Sequence, residues 1–235
     1  MLYLKGSFED EGLNLFEVQI LSSFARDLNV PLAFKIGGCE AKSDIETALN
    51  YGASCVVAPM VESNFAAKKF ISATAGYMSF FSERNINIET ITAVENIDKI
   101  LSENHTKLNG IVVGRTDLAL SMGLSKSHVD SLDVMRKVKS ALISAKRRNL
   151  VTTMGGSFNN NSVKWVVDMF KDGLLDRFET RKVIMKASDN SDLLLEKLSK
   201  AFDIEAMFLN RTLLNYEQGL KAARSRAISI EQRGK

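Results

Sequence analysis

The sequence predicts an α/β fold of the (β/α)8 TIM type, and three observations carry that prediction. Short apolar runs rich in β-branched residues alternate with helical stretches along nearly the whole chain. The runs are continuous rather than alternating, as expected when both faces of a parallel sheet are covered. Almost every run ends in charged or amide residues, as strands do at the open end of a parallel barrel. The competing class, a doubly wound nucleotide-binding sheet, carries GxGxxG or a P-loop after an early strand. The two glycine pairs here, KIGGCEA and TMGGSFN, have neither spacing.

Taken in order, Leu2–Phe8 reads as a strand. The stretch Leu15–Leu28 reads as a helix, with Leu15, Val18, Leu21, Ala25 and Leu28 on one face. Strand Leu32–Ile36 precedes a helix over Ala41–Tyr51, and SCVVAPM (Ser54–Met60) precedes a helix over Phe65–Thr74. A short strand, Ile86–Ile88, leads to a helix over Ala93–Ser102. Gly110–Gly114 leads through a polar turn, Arg115-Thr116-Asp117, to a long helix over Ser131–Arg148. Leu150–Met154 is followed by a helix over Ser162–Phe170, and Phe178–Met185 by helix over most of Leu193–Ser225. That makes seven strands where a barrel needs eight. Either one strand is irregular, or the chain enters the barrel order late. Residues 1–188 are expected to form the barrel. Residues 189–235 form a C-terminal helical extension packed on it or on a neighbouring subunit, the whole being a single domain.

The bulk numbers agree with a large core. Of 235 residues, 45% are hydrophobic and 25% charged, which excludes a disordered chain. The net charge of +3 is spread along the chain except in the tail, where Lys221, Arg224, Arg226, Arg233 and Lys235 cluster. A basic helix end suits its own macrodipole, so no nucleic-acid partner is indicated. No apolar run approaches the roughly 20 residues of a membrane span, and the start is too acidic for a signal peptide. Cys39 and Cys55 lack a CxxC spacing and read as free thiols. His105 and His128 form no zinc pattern. A cytoplasmic setting is expected.

The strand ends carry the chemistry. They supply Glu9-Asp10-Glu11, Lys35, Pro59 with Glu62, Asn87 with Glu89, Arg115 with Asp117, Gly155-Gly156-Ser157, and Glu179 with Arg181. Any one alone is a solvated loop residue; their recurrence at equivalent points of a βα repeat points to one mouth. Glu89 and Asp117 lie one βα unit apart. On neighbouring strands both could reach one hard cation, Mg²⁺ or Mn²⁺, with water and substrate oxygens completing its shell. The alternative is that each merely caps the helix that follows.

INIETITAVENIDKIL followed by GIVVGRTDLALSMG resembles the metal-site segment of the citrate lyase β-subunit and hydroxy-oxo-heptanedioate aldolase family. These are pyruvate-type lyases and aldolases on a phosphoenolpyruvate/pyruvate-type barrel. GASCVVAPMVES is similar to a further family strand, and FEDEG to the family's early Asp-x-Glu-His-Gly strand end. The resemblance implies that Glu89 and Asp117 are the metal ligands. It implies that Asn87, Thr116, Pro59 and Glu62 line the substrate, and that Lys35 stands where the family has an arginine at the keto oxygen. Glu11 matches the acidic position of the early motif. Gly12 follows it where the family has its histidine acid/base, and FETRK (178–182) has no counterpart in the family pattern.

The resemblance therefore implies a metal-dependent carbon–carbon lyase or aldolase acting through the enolate of pyruvate or a related 2-oxo acid. Lys35, Arg115 and Arg181 would offer positive charge, and Glu9, Glu11 or Glu179 would move the proton. The second substrate is an aldehyde or acyl acceptor. Two other readings stand beside it: a Schiff-base aldolase using Lys35, and a non-catalytic binding or assembly barrel, which Gly12 favours. The many leucines of the C-terminal helical stretch point to a homo-oligomer.

Overall fold

The computed structural model describes residues 2–77 and 79–233; of the basic tail, Lys235 lies outside the described residues. Eight strands close into a barrel in sequence order. They are β1 (Tyr3–Ser7), β2 (Leu32–Lys35), β3 (Ala53–Ala58), β4 (Glu83–Ile88), β5 (Gly110–Gly114), β6 (Val151–Gly155), β7 (Arg177–Glu179) and β8 (Val183–Lys186). The first seven run parallel. β8 is antiparallel to both β7 and β1. The expected single strand Phe178–Met185 is thus a hairpin, tied at its turn by Thr180 N–H to Val183 O at 2.9 Å. No helix intervenes between β7 and β8, which departs from strict (β/α)8 alternation. The irregular strand explains why periodicity yields only seven.

The helices are α1 (Leu15–Asp27), α2 (Lys42–Asn50), α3 (Asn64–Thr74), α4 (Ile91–Ser102), α5 (Arg115–Ser121), α6 (Leu132–Lys146), α7 (Ser162–Lys171) and α8 (Ser191–Arg233). Their starts follow from local chemistry. Asn14 and Glu17 form a reciprocal capping box on α1. Ser63, Thr90 and Ser131 each accept a backbone N–H at the starts of α3, α4 and α6. The main core lies between barrel and helices, where Leu4, Phe34, Ile45, Phe70, Ile86, Ile100, Val113, Leu142 and Phe178 are fully or almost fully buried.

The barrel interior is different. A small apolar set, including Tyr3, Ala33, Cys55, Val57, Val112 and Ile184, shares it with charged and amide groups. On β4 the outward Ile86 and Ile88 alternate with Glu83, Asn85 and Asn87, so this strand has the period-2 pattern that the sequence reading expected to be absent. At the closed end Glu83 takes a bidentate pair from Arg177, at 2.7 and 2.9 Å, and a hydrogen bond from Tyr3 Oη at 2.9 Å. Higher up, Lys5 is ion-paired with Glu179 across the β1 and β7 walls.

α8 is one continuous helix of 43 residues, about 65 Å long at 1.5 Å per residue. Leu194, Leu198, Ala201, Phe208 and Thr212 bury its first half. From Glu217 onward its side chains are almost all exposed. Among the described residues no helix is long and apolar enough to cross a membrane.

Candidate active site at the barrel mouth

The strand C-termini surround a cavity of about 430 Å³. β4 contributes Asn87 and, just past its end, Glu89; the α5 end of β5 contributes Thr116 and Asp117. Lys35 enters from β2, Lys5 and Ser7 from β1, and Asp10 and Glu11 from the loop that follows. Opposite β4, the β7–β8 hairpin contributes Glu179, Thr180 and Arg181. Ser157 and Phe158 follow β6, and Phe202 and Glu205 come from α8.

Glu89 is buried and held by three donors. Met60 N–H donates to Oε1 at 2.9 Å; Asn87 Nδ2 at 2.8 Å and Lys35 Nζ at 3.3 Å approach Oε2. Met60 reaches this position with φ of +50°, a left-handed conformation uncommon for a non-glycine residue. Gly114 makes room: a Cβ there would lie 2.7 Å from Glu89 Oε2 and 2.9 Å from Glu89 Cβ. Thr90, not Glu89, caps α4, and α5 starts at Gly114 with no side-chain cap. Neither carboxylate is therefore a helix cap.

Lys35 Nζ lies among three carboxylates: Glu9 at 2.6 Å, Asp10 at 3.2 Å and Glu89 at 3.3 Å. Burial alone would lower its pKa. The charges of Glu89, Asp10 and Glu9 outweigh burial and hold it above the ordinary lysine value. Burial raises Glu9, with Lys35 offsetting only part of the effect. For Asp10 the Lys35 ammonium outweighs burial and holds the carboxyl below its usual value. Asp117 is raised by burial and then by the charge of Glu89, a second carboxylate at the same mouth.

Oxygen donors dominate this corner. Among the described residues no three His, Cys, Asp or Glu side chains form a metal-holding group. The protein can offer two carboxylates, Glu89 and Asp117. Beside them is Asn87 Oδ1, a buried acceptor without a hydrogen-bond partner among the described residues. Two carboxylates with the remaining positions open to water and substrate is an arrangement that suits Mg²⁺ or Mn²⁺.

Several sequence expectations need correction. Arg115 does not face the cavity. It is wholly buried, with its guanidinium stacked 4.9 Å from the Phe158 ring. It donates to Gly155 O at 3.0 Å, Gly156 O at 2.9 Å and Ser162 Oγ at 3.2 Å, and is ion-paired with Asp130. Its donors are engaged in fastening α5 to the β6 loop. Glu62 also stands outside the cavity, accepting Thr90 Oγ1 at 2.5 Å, and Pro59 turns its carbonyl toward Cys39 Sγ. Glu9 lies behind Lys35 rather than on the cavity wall.

Other site residues went unread in the sequence. Lys5 is the clearest, and its signal is legible in retrospect: a lysine in the middle of a buried strand must face a polar interior. Behind the cavity wall rather than on it, Lys182 is buried and bonded to Glu11 Oε2 at 2.6 Å, with Nζ 4.4 Å from the Phe208 ring centroid. Burial lowers its pKa, with Glu11 opposing. Phe202 and Glu205 had no signal, because nothing local says where a long helix passes.

Fold and mouth together define the class: an eight-stranded α/β barrel with a carboxylate pair on adjacent strands and cations on its walls. The comparisons make the assignment narrower. Residues 39–163, more than half the chain, match the HpcH/HpaI aldolase/citrate lyase family, and the chain belongs to that family. A hydroxypyruvate/pyruvate aldolase of Rhizorhabdus wittichii is 32% identical over 123 residues, covering 39% of this chain and 48% of that protein. The match thus spans about half the length of that relative. An HpcH/HpaI aldolase from Desulfitobacterium hafniense shares the fold with a TM-score of 0.62 at 16% identity, over 86% of this chain and 82% of that one. The citrate lyase β-subunit of M. tuberculosis, solved with oxaloacetate and magnesium, gives 0.53 at 15% identity, over 82% and 84%.

Proposed function

We propose that this chain is a divalent-metal-dependent carbon–carbon lyase or aldolase that works through the enolate of pyruvate or a related 2-oxo acid. The observation that carries the reading is the corner built by Glu89, Asp117 and the unsatisfied Asn87 Oδ1 beside a buried ammonium. Glu89 and Asp117 would hold Mg²⁺ or Mn²⁺, which supplies Lewis acidity toward the keto and carboxylate oxygens of the substrate. Lys35 adds fixed positive charge where the enolate oxygen develops, and Thr116 and Asn87 contact the bound acid. Glu179 lines the cavity, ion-paired with Lys5, and would act as the base that takes a proton from C3. In the condensing direction C3 of the enolate bonds to the acceptor's carbonyl carbon, and the carbonyl oxygen takes up the proton.

The family relationship and the hydroxypyruvate/pyruvate aldolase relative support this reading. The carboxylates around Lys35 argue against the Schiff-base alternative, because they hold the amine protonated. The non-catalytic alternative rests on Gly12, which stands at φ +58° with open space around it. Exposed Leu209, Leu213, Leu214 and Leu220 on α8 support self-association.

The test is exchange of pyruvate methyl protons in D₂O, followed by NMR with Mg²⁺ or Mn²⁺. Metal-dependent exchange in the wild type, lost in Asp117→Ala, is expected. A folded, metal-binding protein that exchanges no 2-oxo acid would favour the non-catalytic barrel.

A further inference from the structure

The cations of the mouth divide into two sets. Lys5 is paired with Glu179, and Lys35 with Glu9, Asp10 and Glu89. Arg181 and Lys126 also line the cavity, yet neither has an ion-pair partner among the described residues. They stand at different places. The charge of Lys126 acts on Asp117, so it belongs to the carboxylate corner. Arg181 sits on the turn of the β7–β8 hairpin.

That turn is firmly placed. On one side of Arg181, Thr180 N–H is bonded to Val183 O; on the other, Lys182 is buried against Glu11 and Phe208. Arg181 itself is exposed on the cavity wall. Beside it, Thr180 Oγ1 is buried, Thr180 lines the same cavity, and the hydroxyl has no hydrogen-bond partner among the described residues. A free guanidinium next to an unsatisfied hydroxyl is a donor pair built for an anion.

Ring position says which substrate would carry that anion. Glu89 and Asp117 follow β4 and β5; the hairpin joins β7 to β8, about three of eight positions around the barrel. Eight tilted strands about 4.8 Å apart give a barrel roughly 15 Å across. A three-carbon acid chelated at Glu89 and Asp117 ends well short of the far wall. Arg181 is then free for the second substrate.

The geometry points to an acceptor with an anionic end: a short aldehyde whose terminal carboxylate or phosphate is taken by Arg181 and Thr180 while its carbonyl faces the enolate. This rests on the aldolase reading above and makes its second substrate specific.

Two arms test it. In the first, succinate and inorganic phosphate are titrated by calorimetry into the full chain with Mg²⁺ and saturating oxalate, which occupies the 2-oxo acid position. Binding of one of them is expected, weakened at least 10-fold in Arg181→Gln and partly restored in Arg181→Lys. Equal affinity in wild type and Arg181→Gln, or no binding of either anion, overturns the proposal. In the second arm, glyoxylate and glyceraldehyde 3-phosphate are compared with neutral glyceraldehyde as acceptors for pyruvate. Wild type is expected to prefer one anionic acceptor, identifying carboxylate or phosphate as its terminus. Arg181→Gln should reduce that preference in kcat/KM at least 10-fold, through KM. A neutral preference, or an unchanged ratio, sinks it. Absence of pyruvate proton exchange in the wild type would remove the aldolase reading, while the calorimetry still decides the anion site.

Discussion

Replacing Glu83 by Gln at the closed end of the barrel should cost about 3 kcal/mol of stability at pH 7. Glu83 accepts both Arg177 bonds, at 2.7 and 2.9 Å, together with Tyr3 Oη at 2.9 Å and Asn85 Nδ2 at 3.3 Å. Its side chain and that of Arg177 are only 15% and 17% exposed. The amide keeps the shape but leaves a largely buried guanidinium without its counter-charge, a loss of about 3–5 kcal/mol when fully buried and somewhat less here. The pH dependence has a definite sign. Burial raises the Glu83 carboxyl, but Arg177 outweighs it and holds the folded pKa below the unfolded value of about 4.3. Its contribution is therefore complete above that unfolded value and is lost as pH falls through the folded one. Urea titrations of wild type and Glu83→Gln, read on the first unfolding transition, should differ most at pH 6–8 and converge on acidification. A difference under about 0.5 kcal/mol at pH 7, or one that widens toward low pH, would refute the reasoning. A Glu83→Leu, Arg177→Met double variant should recover much of the loss, since an apolar pair leaves no charge uncompensated.

Gly114→Ala should lower activity more than stability, because its Cβ would push directly on the Glu89 carboxylate. A drop of at least tenfold in pyruvate proton exchange, with a melting shift of a few degrees, is the expected pair of readings. Arg115→Lys should destabilise by about 2–4 kcal/mol, since one ammonium cannot reach the Gly155, Gly156, Ser162 and Asp130 acceptors together. Thermal melting lowered by about 5–10 °C would agree, and an unchanged transition would not. Deleting residues from Glu217 onward should leave the barrel's own stability within about 1 kcal/mol, because that stretch is almost wholly exposed. Gel filtration of the same truncation reads whether α8 carries subunit contacts.

Most strands and helices were legible because outward-facing residues follow helix and strand periods against one continuous core. What the sequence hid lies inside the barrel or depends on chain direction. β4 reads Glu-Arg-Asn-Ile-Asn-Ile, and its polar alternation resembles a short strand flanked by loop unless the barrel interior is polar, as it is here. Lys5 is hidden for the same reason. Glu89 and Asp117 could be paired from spacing alone, since neighbouring strands of a parallel barrel bring their ends together. The place of Arg115 is not legible locally, because a charge at a strand end can turn up into the mouth or back under the next loop. Only Phe158, Asp130 and the carbonyls of Gly155 and Gly156, distant in sequence, decide between them.

The reversed last strand has a consequence for the site as well as for the fold. In a regular barrel each strand leaves the mouth through a loop, and the helix then descends to the closed end. Here β8 descends instead, with Lys186 pairing against Arg177 at the closed end. α8 must therefore climb. From Ser191 to Phe202 is eleven residues, about 16 Å of rise, which is on the scale of a strand's length. The helix thus reaches the mouth at the place where Phe202 and Glu205 line the cavity and Phe208 covers Lys182. The hairpin that breaks the repeat brings in both the free Arg181 and the helix that walls the adjoining side. Both lie outside residues 39–163, the segment that matches the family, whereas Glu89 and Asp117 lie within it. On the proposed reading, the metal-site chemistry and the choice of acceptor would reside on different parts of the chain. Substitutions at Thr180 or Arg181 should alter acceptor choice, and those at Glu89 or Asp117 should abolish the reaction with every acceptor.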